Sequence, residues 1–552
     1  MANNTQLNPG GTGDVIRTID ESGVKTQVVA LAGTRDSGLL GLAKITAEGH
    51  VEVEIRGPRL PFGSLHTESL TPIFQVDAIY GINPTELLAT TALSGASTAA
   101  ANLFTCATGT TSLAFASLQT RKRLRYRAGQ GLAARFTALW SATSPLSITL
   151  AGLGTAESGV YFGYYNGVPY APSSATSAEF GVLHVRGGVR KIVTLTVTTK
   201  SSTTNDITIT LNSVVFTVTG ITNGATTTTT AYELSTFTYA GWTAMQRGAT
   251  VVFVAADAGT KTGTYAISQT GGGAATGTYA TTAAGVASTD TFIPQSTWNG
   301  DKLDGTGASG VTLDPTKGNV FQIGVQYLGF GAITFAVETA PSANSASFIT
   351  VHTIKFPNTQ TYTNVTQPSM PFTMAAYSAG STTNTSVSCA SLAGFIEGAK
   401  KLTGPRMSYD STRNNYVQSG TYYPLMTVRN DTEYGGRANQ AVVQLISVGC
   451  AHGDATPVAA YLIRNATLAG PVSYAQWSTN SCTYVDIGAT TCTLPSNQNK
   501  VLTLPMGNGG EQLLALADEI TIQPGETITL AMKSVTGTTV WVMGNINTRE
   551  DQ

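Results

Sequence analysis

Charge is scarce in this chain: Asp, Glu, Lys and Arg make up only 11% of its 552 residues, and the formal net charge is −1. Such balance gives no overall pull toward nucleic acid or an anionic membrane surface. Cysteine is nearly absent. The five residues Cys106, Cys389, Cys450, Cys482 and Cys492 are odd in number, scattered, and never arranged as C-x-x-C, which speaks against a disulfide scaffold or a zinc site. Cys482 and Cys492 bracket TYVDIGATT, a segment that as a short hairpin would set them opposite one another. A bridge and two buried thiols both stay open there, and a reducing compartment favours the thiols. Long apolar runs are missing as well. Nothing approaches the ~20 residues of a membrane-spanning helix, and the opening MANNTQLNPGGTGDV is too polar for a secretory signal. The expectation is a soluble protein made in the cytoplasm.

Catalytic motifs are equally sparse. The histidines His50, His66, His184, His352 and His452 never fall at H-E-x-x-H or at a spacing that puts two ligands on one element. His184 and His352 sit in alternating segments, where a structural imidazole is expected. There is no G-x-S-x-G elbow and no glycine-rich loop ending in Lys-Ser or Lys-Thr, so nothing is assembled for nucleophilic attack. Gly305, Gly307 and Gly310 in DGTGASGVTLD do match G-x-G-x-x-G. That fingerprint needs a buried strand before it and a helix after it. STWNGDK upstream has no apolar run, and Pro315 and Gly318 downstream stop any helix. The glycines are expected to shape a tight loop. Asp301, Asp304 and Asp314 are the densest acidic group; they read as turn residues rather than as a calcium loop or a glycosidase pair. No catalytic, cofactor-binding or metal-ligating residue is assigned.

What the chain does contain is threonine, glycine and period-two alternation, the signature of strands. The segments 51–57, 123–127, 180–197, 319–338 and 526–544 all read as strands, with Gly187-Gly188 and the Thr-Gly-Thr near 537 as turns. Helical periodicity is confined to ASTAAANLF near residue 100 and SLAGFIEGAKK near 395. The expected class is all-β: several antiparallel, jelly-roll-like β-sandwich domains with a small β domain inserted. Residues 191–292 are that insert, because 30 of those 102 residues are threonine and two GTYA copies flank the Gly271–Gly273 turn, which reads as a hairpin. The other expected divisions are an N-terminal attachment segment (1–56), a host sandwich (57–190 plus 293–401), a linker (402–420) and a C-terminal sandwich (421–552).

Two clusters stand out for recognition. In RKRLRYR, an extended chain puts Arg123, Arg125 and Arg127 on one face. Together with Arg121 and Lys122 they can grip phosphate, but one cationic strand in a neutral protein is better suited to carboxylates across a subunit boundary. In VYFGYYNGVPYAP, Tyr161, Tyr164, Tyr165 and Tyr170 surround an Asn166-Gly167 turn. Such rings either stack on a sugar or partner from a loop tip or close one end of the sandwich.

DVIRTIDESGVKTQVVAL (14–31), SLQTRKRLRYRAGQG (117–131) and the stretch from Trp298 to Glu338 resemble segments of virion structural proteins of tailed bacteriophages, and YYPLMTVRNDTEYGGRANQAVVQLISV (422–448) resembles a β-sandwich module of such proteins. The resemblance covers most of the chain outside the insert. It implies a non-enzymatic virion component assembled in the host cytoplasm, in a tail, collar or baseplate appendage. Its partners would be other virion proteins and a host-surface glycan or receptor, with no nucleic acid. A projecting appendage further implies a homo-oligomer, a trimer above all. A capsid decoration or head fibre, and a glycan-cleaving tail enzyme, are the alternatives.

Overall fold

Alternation in the sequence becomes burial in the sheets: Leu132–Trp140 and Phe372–Ser378 hide every second side chain while the intervening ones face outward. The chain is all-β. The computed structural model describes residues 70–552 except 156, 167–178, 225, 343–344, 399–403, 414–419, 454–455, 508, 517–519, 535–540 and 552; before residue 70 it describes only strand segments between 3 and 52. Met1–Thr67 form one compact unit and Glu68–Gln552 another. In the first, Asn3–Gln6, Val15–Glu21 and Val24–Gln27 make an antiparallel three-stranded sheet, with two further strand pairs.

The second unit holds three sandwiches. The host pairs a nine-stranded with a seven-stranded sheet. Its strands come from both sides of the threonine-rich segment, and aromatic rings rivet the two layers. Phe136, Trp140 and Phe321 of the larger sheet meet Phe162, Phe180 and Phe372 of the smaller. The ring centroids stand 4.8 Å apart for Phe162–Phe321 and Trp140–Phe180, and 4.9 Å for Phe136–Phe372. Stacking of this kind adds to the ordinary burial of each ring.

The insert has its own core, in which Val193, Leu195, Ile207, Ile209, Val251 and Phe253 pack between a four-stranded and a three-stranded sheet. It leaves and re-enters the host side by side, since Val189 and Val286 exchange hydrogen bonds of 2.9 and 2.8 Å. Thr289–Pro294 already pairs with Phe180–Arg186 in the host sheet, so the host resumes a few residues before Phe292. The C-terminal sandwich sets a five-stranded against a six-stranded sheet around Val428, Val448, Leu530 and Ile546.

Several local expectations need correction. ASTAAANLF and SLAGFIEGAKK supply strands Ala96–Ala100 and Ser391–Glu397. Both sit in sheets whose packing overrides alanine's helix preference. A helix forms where five threonines run together, at Thr227–Thr236. Thr226 caps it by accepting from the Thr229 N–H at 3.1 Å, and Ala231 and Leu234 anchor it to the insert core. Gly187-Gly188 does not close a hairpin: the strands on either side belong to different sheets, and the chain passes there from host to insert. The Gly271–Gly273 turn likewise carries the chain between the insert's two sheets. The stretch taken for a linker contributes strand Arg406–Arg413, whose Tyr409 is fully buried in the C-terminal core. The Thr-Gly-Thr near 537 lies outside the described residues.

Candidate functional site

The arginine cluster singled out for recognition lies where the host sandwich meets the C-terminal one. Within 121–127 only Leu124 is bridged, to Met370. Leu124 sinks into the host core and Tyr126 packs edge-on against Tyr327 at 4.8 Å. Fixing these alternate positions turns the arginines toward the C-terminal sandwich. Arg121 pairs with Glu526 at 3.1 Å, and Glu526 is shared with Arg464 at 2.6 Å. Arg125 and Arg127 share Asp551 at 3.3 and 3.2 Å, and Arg125 donates to the Gln440 carbonyl. Lys122 is exposed and pairs with Glu86 of its own sandwich at 3.7 Å. The buried Arg123 Nη1 has no hydrogen-bond partner; burial, followed by repulsion from Arg190, pulls its pKa down to about 10.

Of Arg121, Lys122, Arg123, Arg125 and Arg127, expected near a subunit boundary, four have carboxylate partners within the chain. The complementary carboxylates of Arg121, Arg125 and Arg127 come from the same chain, some four hundred residues on. Charge-assisted hydrogen bonds in partly buried settings contribute about 1.5–3 kcal/mol. Asp551→Asn is expected to lower unfolding stability by about 1–2 kcal/mol in urea titration, with no change of oligomeric state by light scattering. A change of stoichiometry would return these arginines to a subunit boundary.

The insert is bound to the C-terminal sandwich by a second, more deeply buried network. Arg247 of the insert pairs with Asp431 at 3.2 Å and Glu433 at 2.7 Å. Arg429 reaches Asp431 at 2.8 Å and donates to the Gln246 carbonyl at 2.6 Å. Gln246 Oε1 accepts from the Tyr474 N–H, and the Gly248 N–H donates to the Tyr474 carbonyl. Arg429 lies 4.0 Å over the Tyr474 ring and Arg247 lies 4.6 Å over Tyr484. Host and insert are joined in turn by Arg190–Glu157 at 3.0 Å. Sequence reasoning missed this network, although a signal was present: Arg429 and Asp431 close an otherwise apolar strand, and charges in such a setting need partners.

The tyrosines are not a surface. Tyr161, Tyr164 and Tyr165 are buried, and Tyr170 lies outside the described residues. Tyr164 stacks edge-on against Phe180. Tyr161 donates to the Thr155 carbonyl and Tyr165 to Asp290, on a second layer with Leu183 and Val185. Their strand, Gly159–Asn166, runs inside the seven-stranded sheet, and its residues 159–165 are buried on both faces. Of the two alternatives for Tyr161, Tyr164 and Tyr165, their burial agrees with packing in the sandwich.

The G-x-G-x-x-G glycines wrap an aspartate. Asp301 accepts from the Leu303 N–H at 2.9 Å and the Ser309 N–H at 2.8 Å. A Cβ on Gly307 would stand 2.0 Å from Asp301 Oδ1, while Gly305 and Gly310 adopt φ of +87° and +63°. Asp304 and Asp314 each accept from a threonine two residues on, and these bonds hold both carboxyls below their ordinary pKa. Gly307→Ala should therefore cost about 1–3 kcal/mol in thermal or urea unfolding, because the carboxylate it displaces is held by two backbone donors.

Nucleophiles are muted. All five thiols are free and buried, and burial pushes Cys106 to about 11 and Cys389 to about 12. Cys492 pairs through strand Thr491–Thr493 with Thr467–Ala469 rather than facing Cys482. His184 contacts the Asn364 carbonyl, and burial lowers its pKa. Among the described residues, no group of three or more His, Cys, Asp or Glu is placed to hold a metal ion, and no helix is long and apolar enough to cross a membrane.

No protein-family model matches this sequence, and no curated protein aligns with it. Among solved structures, the chain is similar to lectin UEA-II in complex with galactose. That match has a TM-score of 0.24 and 9% identity, covering 59% of this chain and 98% of the lectin. It is also similar to an engineered GH43 glycoside hydrolase with endo-xylanase and exo-arabinofuranosidase activity, at a TM-score of 0.21 and 10% identity, covering 69% of this chain and 52% of the hydrolase. At such scores these likenesses carry nothing about fold, ligand or chemistry.

Proposed function

We propose that this chain is a non-enzymatic structural component of a bacteriophage virion, working as a homotrimeric building block of a tail, collar or baseplate appendage. The observation that supports it best is the locking of three sandwiches by two internal ion-pair networks. Sandwiches tied at buried junctions transmit load without hinging, which suits a permanent part of a particle rather than a protein that opens and closes on a substrate. The segments that resemble phage proteins include the arginines of the first network, in 117–131, and Arg429, Asp431 and Glu433 of the second, in 422–448. Immunogold labelling of intact virions tests the reading. Gold on tail or baseplate supports it, gold on the head surface moves the chain to a capsid decoration or head fibre, and unlabelled particles overturn it. Release of reducing sugar from host polysaccharide, abolished by Asp301→Asn, Asp304→Asn or Asp314→Asn, would instead make it an enzyme.

A further inference from the structure

The five-stranded sheet of the C-terminal sandwich carries a groove of about 550 Å³ on the face turned away from the core. Strand register explains it. Val448 and Cys450 point into the core, so their neighbours Gly449 and Ala451 point outward, followed by Gly453. Gly449 and Ala451 form a floor between taller walls. Gly449 is paired with Asn545 on one side and Leu513 on the other, and Ala451 with Met543 and Glu511. Asp410 stands beyond Asn545. Just beyond the groove's lining, two residues before Met543, the Trp541 ring lies over Gly453, where an added Cβ would meet it at 3.1 Å. Leu513, Met543 and Trp541 are 75%, 43% and 38% exposed, so the apolar wall faces solvent.

We infer that this groove binds a neutral saccharide, an inference that rests on the appendage role proposed above. Three features select that ligand. An exposed indole beside a methionine gives the apolar platform on which the C–H face of a pyranose packs. Asp410, Glu511, Gln512 and Asn545 line the same groove and offer the carboxylate acceptors and amide donors that hydroxyl groups need. The lining includes two acids and no lysine or arginine, so a sulfated, phosphorylated or uronic sugar meets repulsion. The volume lies within the ~300–1,000 Å³ usual for small-ligand sites. Asp410 and Glu511 lie on strands three spacings apart, roughly 14 Å at ~4.8 Å each. The carboxyl pairs that cleave glycosides stand about 5–9.5 Å apart, so this arrangement favours holding a sugar over hydrolysing it.

The test uses the full chain against immobilised tri- to pentasaccharides built from neutral hexoses and N-acetylhexosamines, with sialylated and sulfated counterparts. Binding to at least one neutral member is expected, weakened tenfold or more by Trp541→Ala and by Asp410→Asn. Ala451→Arg, which fills the floor, should abolish it, with the melting temperature of each variant showing that the fold persists. Binding to no neutral member overturns the inference, as does a preference for the anionic sugars or affinity untouched by all three variants. Virion labelling is an independent readout: labelled particles without sugar binding remove the groove and leave the structural role, whereas sugar binding without labelling does the reverse.

Discussion

Asp431→Ala is expected to destabilise the protein by about 3–5 kcal/mol, the usual effect of removing one partner from a buried ion pair. The carboxylate is fully buried and sits between two guanidinium groups, those of Arg429 and Arg247. It also accepts from the Thr432 N–H at 2.7 Å. Burial by itself would raise its pKa, but the two arginines outweigh burial and hold the carboxyl below its ordinary value. A folded pKa depressed in this way makes a contribution that is fully present above the unfolded pKa of about 3.9. The contribution is lost as pH falls through the lower, folded value. Denaturant unfolding followed from neutral pH to below pH 4 should therefore show a steeper acid loss in the natural protein than in Asp431→Asn. Equal acid slopes would mean that the pair contributes nothing at the junction. In a double-mutant cycle, Arg429→Met should recover part of the loss, because Asp431 is the carboxylate that Arg429 pairs with, whereas Arg247 keeps Glu433.

This junction also marks where sequence reading stopped. The sandwich class follows from alternation in stretches such as Leu132–Trp140, a local property. So does the refusal of the nucleotide motif, whose missing flanks stand within a few residues of it. The tyrosines were harder: a turn after Asn166 is visible, but neighbours on both sides of the strand come from Phe180–Arg186 and Ser147–Gly154 in an order that no local pattern gives. The arginines were legible as an ion-pairing edge. Their partners Glu526 and Asp551 were not, because they lie on a distant part of the chain and pairing at such range leaves no trace in spacing. The helix at Thr227–Thr236 failed for a different reason. Threonine weakly disfavours helix, and here a cap and two buried anchors decide against that preference.

Excising the insert should uncouple the two remaining sandwiches thermodynamically. Val189 and Val286 are hydrogen-bonded neighbours, so a short Gly-Ser linker in place of residues 190–285 closes the gap with little strain and modest loop entropy. The host keeps both its sheets, because none of its strands lies within that segment, and it should still melt cooperatively. The C-terminal sandwich fares differently. Without Gln246 and Arg247, Arg429 loses its carbonyl acceptor and Asp431 loses one of its two arginines. Tyr232 no longer donates to the Leu468 carbonyl, and its ring leaves the small cluster around Leu468 and Tyr474. Calorimetry should then resolve a second, earlier transition several degrees below the first, at the ~2–4 °C per kcal/mol expected for a module of this size. The excised segment alone should show strand-rich circular dichroism and its own melting, since Val193, Leu195, Ile209 and Phe253 are buried among its own residues. A deletion variant that aggregates, together with an isolated segment that stays unfolded, would mean that these strands fold only as part of the host. A single transition unchanged from the full chain would mean that the Arg247–Asp431–Arg429 network joins the sandwiches without stabilising them.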